Sequence, residues 1–380
     1  MLIKAKELKE VCAKILTAVD SSNKSELADT LELKVVSGTL LLSVTNREYF
    51  VSVKFPIGAE EVFHATVNAQ LFLKLIPQLT TEDVELTIKN NSLNIKSNGT
   101  YKLPLVFEGD KLLELSPIVI NNKTVEMGMG KEILSSILQY NSKELLNGIA
   151  VKPVQRMYYI DENGAITFTS GACVNSFTLE KPVKVLLSNK VVKLFKLFKE
   201  SDVKFSLGYD ALSDDIIQTK VSFESDDVIL TAITSCDDTL LNSVPVQAIR
   251  QRANTVYPYS VVFHKDTLMQ AINRLLLFSG SKRKGVDESK AYSKFQFSKE
   301  FVKFWDVKNE SNEELHYVNG SNILEDYEMV IDLINLKTTL EGYSEEYITL
   351  SFGDNTAVVL SRNNIKNVIP EARLITANGE

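Results

Sequence analysis

The sequence predicts an α+β protein of three repeated domains, each with two helices on an antiparallel sheet. Three observations lead there. A short apolar strand runs into a Lys–acid pair that opens an amphipathic stretch at Lys6-Glu7, at Lys131-Glu132 and at Lys265-Asp266. A second amphipathic stretch follows in each copy and leads into residues of alternating polarity. The intervals between successive pairs are each about one domain long.

The first helix of copy one carries Leu8, Val11, Cys12, Ile15 and Leu16, and that of copy three carries Leu268, Ala271, Ile272, Leu275 and Leu276 at the same offsets. This i, i+3, i+4, i+7, i+8 stripe lines one helix face. Copy two keeps a shorter version, Ile133, Leu134, Ile137 and Leu138, before Asn141-Ser142 breaks it. Second helices are predicted on Phe72, Leu75, Ile76 and Leu79, on Val191, Leu194, Phe195 and Phe198, and on Leu333, Leu336 and Leu340. Period-two strands follow them at Val84-Leu86-Ile88, Val203-Phe205-Leu207 and Ile348-Leu350-Phe352. Between the helices lie strands and turns, as where Ser37-Gly38 separates two alternating runs. Linkers are expected at Leu115-Ser116-Pro117 and from Ser243-Val244-Pro245 to Tyr257-Pro258, where proline and polar residues interrupt the pattern. The domains are then 1–117, 118–247 and 248–380, and the polar stretches Gly280–Ser293 and Lys308–Asn322 read as loops that lengthen the third.

Composition narrows the function. With 44% apolar and 24% charged residues the chain is an ordinary globular protein, which excludes disordered and collagen-like scaffolds. Its 42 Lys+Arg against 49 Asp+Glu exclude coating of nucleic acid by bulk charge, so any such contact is confined to a patch. Three scattered cysteines, Cys12, Cys173 and Cys236, suit a reducing cytoplasm better than a disulfide framework. No signal-peptide core is read at the start, and the densest apolar run, Leu275–Phe278, is too short to cross a bilayer. A cytoplasmic protein without cofactor is expected.

Signals for an enzyme are thin. Gly128-Met129-Gly130-Lys131-Glu132 resembles a phosphate-loop fragment, but the hydroxyl residue that would hold magnesium is replaced by Glu132. His64, His264 and His316 fall in different copies without paired spacing, so no metal site is signalled. Asp214-Asp215, Asp226-Asp227 and Asp237-Asp238 read as turns, because adjacent side chains on a strand face opposite ways. A metal-dependent nuclease is therefore a weak alternative, and a non-catalytic scaffold the other.

The run Val36-Ser37-Gly38-Thr39-Leu40-Leu41-Leu42-Ser43-Val44-Thr45-Asn46, the middle Leu146-Asn147-Gly148 with Thr169-Ser170-Gly171, and the tail Asn367-Val368-Ile369-Pro370-Glu371-Ala372-Arg373-Leu374 resemble the bacterial β sliding clamp family, the DNA polymerase III β subunit. The likeness covers essentially the whole chain in order and spacing. There are departures: Ala172-Cys173-Val174 stands where the family has His-Arg-Leu, the tail carries an inserted residue, and six residues follow Leu374. They suggest a divergent clamp, of the kind a phage encodes.

That resemblance implies a non-catalytic processivity factor for DNA replication: a head-to-tail homodimer closing a six-domain ring around double-stranded DNA, with a polymerase and a clamp loader as partners. Roughly twelve helices at ~8–10 Å between axes make a wall about 100–120 Å round. Subtracting one helix thickness leaves a hole of about 20–28 Å, enough for duplex and water. Sequence-independent phosphate contacts are expected from Lys14, Lys24, Lys74, Lys193, Lys196, Arg274 and Lys282-Arg283-Lys284. Lys190, Lys193 and Lys196, three apart, share roughly one exposed side; a solvated helix face is the plainer account of such a run. For the dimer contact the resemblance points to Leu277 and Phe278 against Tyr101, Leu103 and Leu105, with an intramolecular core position as the alternative. A pocket for partner peptides with Leu and Phe anchors is expected from Leu146, Thr169, Gly171, Val174, Pro245, Ile249, Val368, Ile369 and Pro370, with Arg373 as rim charge. Core packing explains any one of these equally well.

Overall fold

The computed structural model of the chain describes residues 1–20, 25–58, 62–141, 157–168, 171–213, 216–234, 238–279, 291–306, 310–319, 321–353, 357–362 and 364–372. In chain order the first elements are β1 (Leu2–Lys4), α1 (Ala5–Leu16), β2 (Thr30–Val36), β3 (Thr39–Thr45), β4 (Tyr49–Pro56), β5 (His64–Asn68), α2 (Ala69–Leu75), β6 (Asp83–Lys89), β7 (Ser92–Lys96) and β8 (Thr100–Pro104). After the hairpin β9 (Phe107–Glu108) and β10 (Lys111–Leu112) come β11 (Lys123–Met129), α3 (Lys131–Tyr140), β12 (Met157–Asp161), β13 (Gly164–Phe168), β14 (Ala172–Asn175), β15 (Lys184–Ser188) and α4 (Asn189–Lys193). A 3₁₀ segment Leu194–Phe198 leads to β16 (Val203–Ser213), β17 (Ile216–Glu224) and β18 (Val228–Thr234). Two short helices follow, α5 (Asp238–Asn242) and α6 (Val246–Asn254), and then β19 (Tyr259–His264), α7 (Lys265–Ser279), β20 (Tyr292–Phe297), β21 (Phe301–Trp305), β22 (Asn312–His316), β23 (Tyr327–Asp332), α8 (Leu333–Glu341), β24 (Tyr347–Phe352), β25 (Ala357–Arg362) and β26 (Ile365–Pro370).

One order, strand, helix, four strands, helix, three strands, thus occurs three times among the described residues, beginning at β1, β11 and β19. All three predicted strand-to-helix openings are present, and each second helix lies between the strands expected around it. By compactness the chain divides into two units, Met1–Ser135 with Lys193–Cys236, and Ser136–Val192 with Asp237–Glu380.

The first unit holds an eight-stranded antiparallel sheet, β11-β16-β17-β18-β4-β3-β2-β5, and a four-stranded one, β1-β6-β7-β8. Alternation puts Leu31, Leu33, Leu42, Val51, Val53 and Leu230 on the buried face of the large sheet, where α1 packs on β3 and β4. Helix α1 contributes Leu8, Val11, Cys12 and Ile15, the stripe read from periodicity, while Leu16 stays outside at 42% exposure. Ser37 and Gly38, both at positive φ, make the tight turn between β2 and β3, the conformation two-residue hairpins favour. Asn68 caps α2 by accepting the Leu71 N–H at 2.9 Å.

The second unit repeats the plan with β15-β12-β13-β14-β26-β25-β24-β19 and β22-β21-β20-β23. Its core gathers Phe295, Phe297, Phe304, Leu268, Ile272, Leu336 and Phe352. Phe295 stacks on Phe304 with centroids 4.7 Å apart. Asp332 caps α8 through the Ile334 N–H at 3.0 Å.

Two sequence expectations need correction. The stretch from Ser243 to Pro258 is no plain linker, for it contains α6 over nine residues. Only Ala253 of that helix is buried, so its polar composition hid it. Lys308–Asn322 is not simply a loop either: it contains β22, an edge strand whose sole buried residue is Leu315, so period-two polarity was too weak to read. Of the other stretch, 280–290 lies outside the described residues, and Tyr292-Ser293 opens β20.

Candidate functional site

Of the residues expected to form the partner pocket, Gly171, Val174, Val368 and Pro370 lie in the second unit along the seam where β14 pairs with β26. The register sets Ala172 opposite Val368 and Val174 opposite Lys366. Alternation therefore places Ala172, Val174, Lys366 and Val368 on one face, and Cys173, Asn175, Asn367 and Ile369 on the other. Helix α6 lies along β14 and β26, and the Lys366 ammonium donates to Asn254 Oδ1 at its end, 2.9 Å. On the opposite face Ile369 belongs to the core that includes Leu336 and Tyr343, and the Tyr343 hydroxyl donates to Asn367 Oδ1 at 2.8 Å.

Gly171 sits where β14 begins. A Cβ there would stand 2.0 Å from the Val368 carbonyl oxygen and 3.1 Å from Pro370 Cδ, so only glycine admits the approach of β26. Val174 and Val368 are buried; Gly171, Ile249 and Pro370 are half-buried and Pro245 is exposed. Gly171, Val174, Val368 and Pro370 thus lie along one seam, Ile249 is on α6 beside it, and Ile369 belongs to the core behind. Leu146, Thr169 and Arg373 lie outside the described residues.

Behind β14, Asn141 is fully buried at the end of α3. Its amide donates to Thr167 Oγ1 at 3.2 Å and to the Cys173 carbonyl at 3.4 Å, while Asn175 donates to Ser136 Oγ at 2.6 Å and to Asn141 Oδ1 at 3.2 Å. Asn141, where the sequence stripe of α3 ends, thus fastens β14 from behind.

Sequence reasoning passed over Arg250 and Asp161. The Arg250 guanidinium grips both Asp161 oxygens, at 2.8 and 2.5 Å, with Asp161 8% exposed. That hydrogen-bonded carboxylate holds the guanidinium above its ordinary pKa. Burial, helped by the same carboxylate, pushes the Tyr159 phenol up to about 12. The two partners are 89 residues apart, and no local spacing signals them.

Of the expected phosphate contacts, Lys74, Lys193 and Lys196 are exposed. Lys14 is ion-paired to Asp227, and Arg274 forks onto Glu313 with both bonds at 2.7 Å. Lys24 and Lys282-Arg283-Lys284 lie outside the described residues. The segment Leu194–Phe198 is a 3₁₀ helix, so residues three apart eclipse one another at a rise of about 6 Å. Lys193, Lys196 and Lys199 hence stand in one exposed row, and Lys199 extends the predicted spacing. Underneath, Phe195 packs edge-on against Phe223 at 4.9 Å between centroids and anchors the row.

Leu277 and Phe278 are 79% and 55% exposed at the end of α7, so neither is in the core. Tyr101, Leu103 and Leu105 share the inward face of the edge strand β8 and its continuation; Leu103 is buried opposite Leu93, while Tyr101 and Leu105 are half-buried. The phosphate-loop fragment is a helix start whose Lys131 N–H is taken by Asp202 Oδ1 at 2.9 Å. Among the described residues no group of three or more His, Cys, Asp or Glu could hold a metal ion, and no helix is long and apolar enough to cross a membrane.

The whole architecture has counterparts. Crystal structures of the DNA polymerase III β subunit from Pseudomonas aeruginosa and from Thermotoga maritima superpose with TM-scores of 0.79 and 0.77 at 14% identity, over 98% of this chain and 100% and 99% of theirs. The Bacillus subtilis DNA polymerase sliding clamp does so at 0.75, also 14% identical, over 98% of each chain. The fold is therefore the α+β fold of β clamps over its full length. In sequence, the β sliding clamps of two Helicobacter pylori strains are 24% identical over 196 residues and 23% over 198, in each case 48% of this chain and 52% of the relative. The chain thus spans about half the length of the curated relatives it matches. No family model matches it. The chain is thus similar to β sliding clamps in fold over its full length and in sequence over about half of it.

Proposed function

We propose that the protein is a DNA sliding clamp, a non-catalytic processivity subunit that keeps a replicative polymerase on duplex DNA. The observation that carries this reading is the match to β clamp structures over 98% of the chain. The thrice-repeated element order supports the division 1–117, 118–247 and 248–380, and so a ring of six domains from two chains. A ring holds DNA by topology, so it needs only a modest cationic lining, and the exposed row of Lys193, Lys196 and Lys199 suits phosphate contact without base reading. A net charge of −7 fits a protein that is not itself a tight DNA binder.

The exposed Leu277 and Phe278, and the open edges of β8 and β22, suit a head-to-tail homodimer contact. The seam of Gly171, Val174, Ile249, Val368 and Pro370 suits an apolar peptide segment of a polymerase or clamp loader. Light scattering should give a dimer of the 42.5 kDa chain, and Phe278→Asp should give a monomer. Negative-stain images of the unaltered protein should contain a central opening. A monomer, or a dimer without an opening, would overturn the reading.

A further inference from the structure

The unforeseen helix α6 is held in an unusual way. Helix α1 buries five of its residues, whereas α6 buries only Ala253. A single alanine supplies little apolar adhesion. Polar grips replace it at two points. The Arg250 fork on Asp161 fastens the middle of the helix, and Asp161 Oδ1 is itself fixed by the Asn163 N–H at 2.9 Å. One turn later Asn254 accepts from Lys366 on β26. Arg250 and Asn254 are four apart and so share a side of the helix with Ala253. That side grips the sheet.

We propose that Arg250 and Asp161 are positioning residues that set how closely α6 approaches the β14–β26 seam, and so the width of the groove that receives an apolar partner peptide. The inference rests on the cleft reading above. A planar fork on a buried carboxylate fixes direction as well as distance, which an apolar contact would not. With so little buried surface of its own, α6 departs from its place when the fork is broken, while the ladders beneath it stay intact. The groove then loses a wall that was ready-made for its ligand, and the peptide has to order that wall on binding.

The test uses the full chain and a labelled short peptide with adjacent Leu and Phe anchors, read by fluorescence anisotropy. Asp161→Asn and Arg250→Lys should each weaken binding ~5–30-fold, the size of effect that one or two kcal/mol produces. Amide exchange should accelerate in 246–254 and not in β14 or β26, and the dimer mass should stay unchanged. The double exchange Asp161→Arg with Arg250→Asp should recover part of the affinity, which a general loss of folding would not allow. If the unaltered protein binds no such peptide, the cleft reading falls and this proposal with it. If it binds and the variants bind equally well, or exchange in α6 is unmoved, the positioning role alone is overturned.

Discussion

The two segments that join successive repeats solve one problem in opposite ways. The first, from Leu113 to Asn122, has no helix or strand and lies along the large sheet of the first unit. The second, from Ser243 to Pro258, coils into α6. An extended segment cannot satisfy its own amides, so the sheet must supply acceptors. Glu32 on β2 accepts from the Leu115 N–H at 3.3 Å, and Asp210 on β16 accepts from the N–H groups of Asn121 and Asn122 at 3.1 and 3.4 Å. Helix α6 bonds its amides internally, so its grip on the buried Asp161 of β12 is made by a side chain, the Arg250 guanidinium. Both connections are held by a buried carboxylate: the extended one offers it backbone amides, the helical one a guanidinium.

The first segment is fastened across the sheet as well, for Lys220 on β17 donates to the Val119 carbonyl at 2.9 Å.

The contrast can be broken at its strongest point by Gln251→Pro, which removes an intrahelical hydrogen bond from α6 and clashes with the preceding turn. A loss of about 3 kcal/mol of local stability is expected, seen as rapid amide exchange over 246–254. Unchanged protection there would mean that the helix is not what holds this connection. A smaller effect should separate the two clasps in acid. Hydrogen bonding from Lys220 holds the Asp210 carboxyl below its ordinary 3.8. The stability it confers is complete above that ordinary value and is lost as pH falls through the lowered folded one. The Asn121 and Asn122 amides should therefore lose protection on acidification into that range, and amides that still hold there would show that Asp210 is not their anchor. The smallest change should come from Ser116→Pro. Ser116 already precedes Pro117 and so is restricted to extended conformations, and a second proline should shift the melting free energy by no more than about 0.5 kcal/mol. A large destabilisation in calorimetry would argue that Ser116 has a structural bond of its own.

Much of the fold was legible because helices and strands announce themselves by period. The stripe of Leu8, Val11, Cys12 and Ile15 is the buried face of α1, and the Ser37-Gly38 pair is the hairpin turn expected between its alternating runs. The lysine spacing of three was legible as well, but its meaning rested on a 3₁₀ segment that periodicity reads as an α-helix. Helix α6 and strand β22 escaped notice because each buries a single residue. At the seam, residue types alone made Val368 and Ile369 equal candidates. Strand register separated them, sending one toward α6 and the other into the core.

Local periodicity was thus enough to establish the threefold order of elements and their buried faces, since both depend on neighbours a few residues away. The grips of Arg250 on Asp161, of Glu32 on the Leu115 amide and of Asp210 on Asn121 were decided only by folding. They join groups more than eighty residues apart, and a bond of that reach follows from which buried acceptor a segment meets once the sheets have formed, a choice that leaves no repeating mark along the chain.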